Sequence, residues 1–176
     1  MQYISSYSSP LGEIVLAADE AGLTGLWFAG QKYFASTLDQ SSCRMDLPFF
    51  VQIRNWLDTY FSGCKPDFLP SLHPAGTPFQ KQVWTILQTI PYGQTITYGQ
   101  IAQQLANRSG KPQSPQAVGG AVGRNPISIL IPCHRVIGAD GTLTGYAGGL
   151  DHKQALLQLE GIMLPPSTIS KKITKG

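Results

Sequence analysis

The fold is decided by residues 77–126, which read TPFQKQVWTI LQTIPYGQTI TYGQIAQQLA NRSGKPQSPQ AVGGAVGRNP and predict three successive helices. The first helix begins at a capping box, because Thr77 is a good N-cap, Pro78 suits the first helical position and Gln80 lies three residues after the cap. Apolar side chains then recur at helical spacing as far as Ile90, before a Pro–Tyr–Gly sequence ends the helix.

The second and third helices have the pattern of a helix-turn-helix. Thr97 begins the second helix with Gln100 at its third position, and Ser114 caps the third. Their connection, Asn107–Gln113, is longer than the usual short turn. The third helix contains the glycine-rich run Ala117–Gly123, although each glycine costs about 1 kcal/mol relative to alanine in a helix. A nearly bare backbone is needed there, either for packing against another helix or for close approach to a large ligand.

The first part of the chain has the pattern of a small sheet followed by a helix. Apolar stretches separated by turn residues predict an antiparallel meander of three strands: Gln2–Tyr7, Gly12–Ala18 and Leu23–Phe28. Residues 48–61 have helical spacing, and the Gly- and Pro-containing residues 62–77 predict a linker. We therefore expect an α/β N-terminal domain over residues 1–75, a mostly helical domain over residues 76–165 and a flexible basic tail over residues 166–176.

The elements after the three helices are less regular. The apolar run Ile127–Ile131 predicts a buried strand. Asp140 belongs to a turn, and a glycine-rich loop then leads into a final helix, for which Asp151 is the expected N-cap and Gly161 the end.

Composition excludes several classes of protein. The 176 residues are 42% hydrophobic and 13% charged, and the apolar runs are far shorter than the roughly 18–20 residues of a membrane span. Three cysteines without CxxC spacing argue against a disulfide scaffold or a cysteine-rich zinc site. No secretory signal is visible. The sequence therefore predicts a cytoplasmic chain (or a nuclear one in a eukaryote) with free thiols.

Charge is divided unevenly along the chain. Residues 1–75 hold four Lys/Arg and seven Asp/Glu, whereas residues 76–176 hold nine Lys/Arg and three Asp/Glu. This asymmetry is typical of a second half that binds an anionic partner such as nucleic acid. The alternative is a mildly basic surface without a specific partner.

Cys133 is the strongest candidate for a reactive residue. It is followed by His134 and Arg135, whose positive charge would favour a thiolate. Because His134 is adjacent in sequence, its side chain should point away from the thiol and act through a water. An imidazole in that role needs a carboxylate to hold its tautomer. Within residues 76–176, Glu160 is the carboxylate without a turn or cap role, and its place near a helix C-terminus calls for a specific partner.

Several motifs in order resemble the O6-alkylguanine-DNA alkyltransferase family. They are Pro91–Tyr92–Gly93, Thr97–Tyr98, Ala117–Val118–Gly119–Gly120–Ala121, Asn125–Pro126, Pro132–Cys133–His134–Arg135–Val136, Gly145–Tyr146–Ala147–Gly148–Gly149–Leu150 and Leu159–Glu160–Gly161. Residues 1–75 resemble the family's variable N-terminal domain only in length and in the order of strands and helix. The resemblance implies a ribonuclease-H-like N-terminal domain and a winged-helix-like helix-turn-helix in the C-terminal domain.

The resemblance implies direct-reversal DNA repair without a cofactor. Cys133 would take the alkyl group from O6 of guanine, and from O4 of thymine, in one irreversible transfer per molecule. His134 would deprotonate Cys133 through a water, and Glu160 would polarise His134. Tyr98 would donate to N3 of the departing base, and Asn125 would brace the turn before the cysteine.

The resemblance also assigns binding residues. Those at the substrate would be Val136, Tyr146, Ala147, Gly148 and Lys153. Double-stranded DNA would be bound through its minor groove, with the alkylated base flipped out, by Thr97, Gln116, Ala117, Gly119, Gly120, Ala121, Arg124 and Arg135. The family usually has an arginine at the position of Gln116. DNA affinity or base eversion would therefore be weaker here, or be supplied by Arg124 or the longer connection.

Other functions fit the sequence less well. A non-catalytic binder of alkylated DNA would lack the reactive cysteine that is present here. A cysteine hydrolase would require a direct hydrogen bond between Cys133 and His134, which neighbours in sequence cannot easily make. Possible metal ligands have no familiar spacing, so we expect no metal; they are Cys43, Cys64, His73 and His152. We expect a monomer.

Overall fold

The structure, a computed structural model, describes residues 1–164. In chain order its elements are β1 (Tyr3–Ser9), β2 (Gly12–Ala18), β3 (Leu23–Phe28), β4 (Cys43–Arg44), α1 (Pro48–Phe61), α2 (Pro78–Leu87), β5 (Ile96–Thr97), α3 (Tyr98–Ser109), α4 (Pro115–Gly123), β6 (Val136–Ile137) and α5 (Leu150–Leu159). The predicted order of sheet and then helices is confirmed. The tail predicted over residues 166–176 lies outside the described residues. None of the helices in residues 1–164 has the length and apolarity needed to cross a membrane.

The N-terminal sheet has the strand order β3-β2-β1-β4. Its first three strands form the predicted antiparallel meander, whereas β4 pairs parallel to β1 over two residues. Strand β4 is only two residues long, which is too short to show a recognisable strand pattern in the sequence. The buried face of α1 comprises Phe50, Ile53, Trp56, Leu57 and Tyr60.

The three central helices begin at their predicted caps. Thr77 and Thr97 each form a complete capping box, and the Ser114 hydroxyl accepts from the Ala117 amide. Helix α2 ends at Leu87, earlier than the sequence predicts, and Ile90 is buried in the turns that follow.

Two predictions about the later elements are wrong. Residues 127–131 do not form a strand, because Ile127 makes a single bridge to Leu26 of β3 and Ile129 has a φ of +73° that turns the chain. Asp151 is not the N-cap of α5: Gly149, with a φ of +97°, occupies that position, and Asp151 lies in the first turn. An acid there still interacts favourably with the helix dipole.

The two halves of the molecule share one hydrophobic core. Buried side chains of β2, β3 and α1 belong to the same cluster as those of the later helices. The N-terminal domain is therefore packed directly against the part of the chain that carries Cys133.

Candidate active site

Cys133 begins a short 3-10 turn, Cys133–Arg135, where the chain leaves the core. The residue is only 5% exposed and lies at a cavity of about 420 Å³. The cavity is lined by Lys32, Tyr33, Tyr98, Gly119, Gly120, Val122, Gly123, Cys133, Gly145, Tyr146 and Ala147. A nucleophile at a cavity of this size can meet a ligand as large as a nucleobase.

Asn125 fixes the backbone that leads to the cysteine. Its Nδ2 donates to the carbonyls of Ile131 at 2.8 Å and Ile127 at 3.2 Å. Its Oδ1 accepts from the Ile127 amide at 3.0 Å. These bonds hold residues 127–131 in a turn, which explains why an apolar run is not a strand here.

The Glu160 carboxylate is the centre of a buried hydrogen-bond network. Its Oε2 accepts from the Tyr60 hydroxyl at 2.7 Å and pairs with His134 Nε2. Its Oε1 accepts from Arg135 Nε at 2.8 Å and from the Gly93 amide at 3.0 Å. Burial raises the pKa of Glu160, but these donors outweigh burial and lower it to about 2. The acid at the end of α5 thus has the specific partners that its position demands.

The same network defines the state of His134. A carboxylate can only accept, so the proton between the two groups lies on Nε2 and leaves Nδ1 with a lone pair. Nδ1 is buried and has no hydrogen-bond partner in residues 1–164. Burial lowers the pKa of His134, although Glu160 opposes this shift. The resting imidazole is therefore neutral and able to accept a proton through Nδ1.

Burial raises the pKa of the Cys133 thiol, while the Asn125 side chain and the charge of Lys153 partly offset this effect. Lys153 is itself fully buried, and its Nζ donates to the carbonyls of Gly145 at 3.2 Å and Thr144 at 3.4 Å. Burial lowers the pKa of Lys153 to about 8. The thiol is thus neutral near pH 7 and requires a base, and Lys153 supplies positive charge for a thiolate.

The loop over residues 144–149 forms one side of the cavity. Tyr98 donates its hydroxyl to the Thr144 carbonyl at 2.8 Å, and burial raises the pKa of Tyr98. The Tyr146 hydroxyl is buried without a partner in the described part of the chain. A Cβ at Gly148 would come within 2.9 Å of Tyr146 and 3.0 Å of Phe28, so only glycine fits.

Main-chain groups at the cavity already have some partners. The Val136 amide donates to the Cys133 carbonyl, and the Ala147 carbonyl accepts from the Lys32 amide at 3.0 Å. A carbonyl oxygen has two lone pairs, so the Cys133 carbonyl can accept a second bond from a ligand.

Helix α4 exposes some, but not all, of the residues that were predicted to contact DNA. Gln116, Ala117 and Gly120 are exposed, and Gly119 is half-buried. Ala121 is 3% exposed, and its carbonyl accepts from Trp84 Nε1 at 2.8 Å. The prediction that Ala121 contacts DNA is therefore wrong, because this residue faces the core.

Arg135 is also misplaced by the sequence prediction. It is 8% exposed, and its guanidinium donates to Glu160 and to the Ile90 carbonyl at 2.8 Å. This side chain is part of the buried network and is not free to bind phosphate. Thr97 lies half-buried at the start of α3, where its hydroxyl caps the helix, and Arg124 is exposed at the end of α4.

Both parts of the chain match sequence models of one family. Residues 2–69 match the ribonuclease-like domain of 6-O-methylguanine DNA methyltransferase, and residues 78–162 match its DNA binding domain. The chain belongs to the 6-O-methylguanine DNA methyltransferase family. The family resemblance seen in the motifs is thereby confirmed.

Members of this methyltransferase family resemble the chain over nearly its whole length. A methylated-DNA–protein-cysteine methyltransferase of Methanosarcina acetivorans is 48% identical over 159 residues, which cover 90% of this chain and 98% of the relative. One of Haemophilus influenzae is 42% identical and covers 91% of this chain and 87% of the relative. The structure of Mycobacterium tuberculosis OGT in complex with DNA has a TM-score of 0.79 and 43% identity, covering 90% of this chain and 92% of that chain.

Sequence reasoning missed the contributions of the N-terminal domain to this methyltransferase site. Tyr60 lies on α1 at helical spacing, so its pattern is that of a core residue, and nothing local marks its bond to Glu160. Lys32 and Tyr33 follow β3 in a segment without periodicity. No group of three His, Cys, Asp or Glu that could hold a metal ion occurs within residues 1–164.

Proposed function

We propose that this chain repairs DNA by moving an alkyl group from O6 of guanine to its own Cys133. One observation carries the proposal: Cys133 lies at a cavity, and behind it a neutral His134 is hydrogen-bonded to an ionised Glu160. A base and its carboxylate partner beside a thiol are the parts that a cysteine nucleophile needs.

Proton transfer precedes the attack. His134 Nδ1 takes the thiol proton through a water, because no hydrogen bond joins the two side chains directly in residues 1–164. Glu160 stabilises the imidazolium that forms, and Lys153 stabilises the thiolate. Asn125 keeps the turn in place during these steps.

The alkyl transfer is an in-line displacement. The thiolate forms a C–S bond to the first carbon of the substituent while the bond from that carbon to O6 breaks, and the electron pair stays on guanine. The Tyr98 hydroxyl, which donates to the Thr144 carbonyl before a base enters, turns to donate its proton toward N3 of the base and neutralises this charge. The alkyl group stays on Cys133 as a stable thioether, so each molecule acts once. O4-alkylthymine presents the same kind of bond and is a second substrate.

The base is held mainly by the backbone. The carbonyls of Cys133 and Val136 accept from the exocyclic amine, and the Ala147 amide faces O6. Tyr146 and Gly148 form the adjoining wall, where the glycine keeps space that a side chain would fill.

Double-stranded DNA is bound through the minor groove with the alkylated base flipped out, at a cost of a few kcal/mol. Helices α3 and α4, which we propose form a winged-helix-like unit, serve this role; the support is that α4 exposes small residues that let the backbone approach closely. The contacts are made by Thr97, Gln116, Ala117, Gly119, Gly120 and Arg124. The proposal also includes a domain boundary between residues 75 and 76 and a ribonuclease-H-like first domain. It further includes a monomeric state and a cytoplasmic location.

The test is incubation with duplex DNA containing one O6-methylguanine, followed by intact mass and peptide mapping. We expect a gain of one methylene on the peptide that contains Cys133, with a plateau at one methyl group per protein. Binding of the same duplex without any mass gain would instead identify a non-catalytic binder and overturn the proposal. Repeated demethylation without protein modification would also contradict it.

A further inference from the structure

The N-terminal domain supplies one wall of the cavity at Cys133. Lys32 and Tyr33 belong to a segment after β3, residues 29–38, which we name the wall loop. We propose that Tyr33 is a specificity-determining residue that limits the size of the O6 substituent which Cys133 accepts. This inference rests on the proposed alkyl transfer and adds a role for the first domain.

The wall loop is tied to the C-terminal half at two points. The guanidinium of Arg124, at the end of α4, lies 4.3 Å from the centre of the Tyr33 ring, which is a favourable cation–π distance. The Lys32 amide donates to the Ala147 carbonyl at 3.0 Å. Tyr33 is therefore positioned both by the helix that faces DNA and by the loop beside the cysteine.

The backbone of the wall loop is strained at the residue that lines the cavity. Tyr33 has a φ of +59° and Ala35 a φ of +53°, which are left-handed values uncommon for residues other than glycine. Such conformations persist only where the surroundings over-determine them, and they are concentrated at functional sites. Here Gln31 supplies that constraint, since its side chain accepts from the Phe28 amide at 2.8 Å and donates to the Lys32 carbonyl at 3.3 Å. These bonds anchor the start of the wall loop up to the residue before Tyr33.

Tyr33 is the aromatic side chain at the cavity that has no other assigned role. Tyr98 and Tyr146 are already placed at the base, and the α4 side of the cavity is formed largely by glycines. During transfer the substituent lies between the Cys133 sulfur and O6, inside the cavity. A larger substituent must reach farther toward the walls, and a tyrosine at this wall restricts how far it can extend.

The experiment compares single-turnover rate constants for duplexes that carry O6-methylguanine or O6-benzylguanine. Wild type, Tyr33→Ala, Tyr33→Trp and the matched control Phe34→Ala are measured in the same DNA sequence. Phe34 is the exposed neighbour of Tyr33 and does not line the cavity. The ratio of benzyl to methyl rates cancels changes in DNA affinity that both substrates share.

We expect Tyr33→Ala to raise the benzyl-to-methyl ratio roughly fivefold or more, because pocket walls discriminate between substituents by this order. Tyr33→Trp should lower the ratio, and Phe34→Ala should leave it unchanged. An unchanged ratio in both Tyr33 variants, including an equal fall of both rates, would overturn the inference. If Tyr33→Ala does not fold, the sign of the Tyr33→Trp effect decides. Absence of transfer by the wild type would refute the proposed function itself and is thus a distinct result.

Discussion

Behind Cys133, the Glu160 carboxylate accepts from Tyr60, His134, Arg135 and the Gly93 amide, whereas the exposed face of α4 offers little more than alanine and glycine beside Gln116. In the first region, the proposed function depends on buried side chains that are hydrogen-bonded to one carboxylate. In the second region, the proposed function depends on the small size of the residues on the exposed face of α4. Removing atoms from the first region should therefore damage the chemistry, and adding atoms at the glycines of α4 should damage the approach to DNA.

The largest effect is expected at the nucleophile. Cys133→Ser should abolish alkyl transfer, because a serine hydroxyl is barely ionised near pH 7, and should leave duplex affinity nearly intact. The check is the mass assay together with a binding titration. Cys43→Ser and Cys64→Ser are the matched controls and should retain transfer. Loss of transfer in either folded control would mean that the nucleophile is wrongly assigned.

Glu160→Gln should slow transfer by about 100-fold or more, the range expected when a general base is impaired. The amide carries no charge to stabilise the His134 imidazolium, and its NH₂ group replaces an acceptor with a donor. Single-turnover rates on duplex DNA measure the effect, with Asp151→Asn, an exposed carboxylate on the same helix, as control. A rate within threefold of wild type would show that the carboxylate does not assist the base.

The same carboxylate should make stability depend on pH. The pKa of Glu160 is lowered from 4.5 to about 2, so its contribution is fully present above pH 4.5 and is lost as the pH falls toward 2. Urea unfolding from pH 7 to pH 3 should show wild type well above Glu160→Gln at pH 7 and the two converging in acid. A difference independent of pH would contradict this assignment.

Gly120→Ala should separate folding from DNA binding. A Cβ at Gly120 meets nothing within 4 Å, so alanine should stabilise α4 by about 0.5–1 kcal/mol. The same methyl group lies on the face that we propose approaches the minor groove, and duplex affinity should fall roughly tenfold, or about 1.4 kcal/mol. Thermal unfolding measures the change in stability, and a duplex titration measures the change in affinity. Unchanged affinity would place DNA elsewhere on the molecule.

The smallest effect is expected at position 116, where this chain has glutamine and the family usually has arginine. Gln116→Arg should strengthen duplex binding and speed duplex repair a few-fold, since an arginine adds a phosphate-compatible charge and fills more of the gap left by a flipped base. Free O6-benzylguanine needs no flipping, so its rate should hardly change. Equal changes on both substrates would mean that Gln116 acts on the reactive site. No change on the duplex would assign eversion to another group.

Local signals in the sequence predicted local structure well. The capping boxes at Thr77 and Thr97 need only residues within one turn, and the structure has both. The strand predicted over residues 127–131 failed because the Asn125 side chain redirects that backbone, which apolar patterning does not register.

The long-range contacts in the candidate site could not be predicted from the sequence. Tyr60 and Glu160 are 100 residues apart, and their pairing depends on how the two domains pack. Arg135 shows the converse error, because a cation beside a reactive cysteine suggests DNA contact until its burial against Glu160 is seen. The position of Tyr33 likewise follows from the docking of the wall loop onto Ala147 and Arg124.

The central claim is that chemistry and DNA approach are built in separate regions. Its most direct test is one two-substrate assay, in which Glu160→Gln and Gln116→Arg are each measured on duplex O6-methylguanine at subsaturating protein and on free O6-benzylguanine. Gln116 is exposed on α4 and does not line the cavity at Cys133. We expect Glu160→Gln to slow both reactions by the same factor, whereas Gln116→Arg should speed the duplex reaction alone. A changed free-base rate in Gln116→Arg, or an effect of Glu160→Gln confined to the duplex, would contradict the claim.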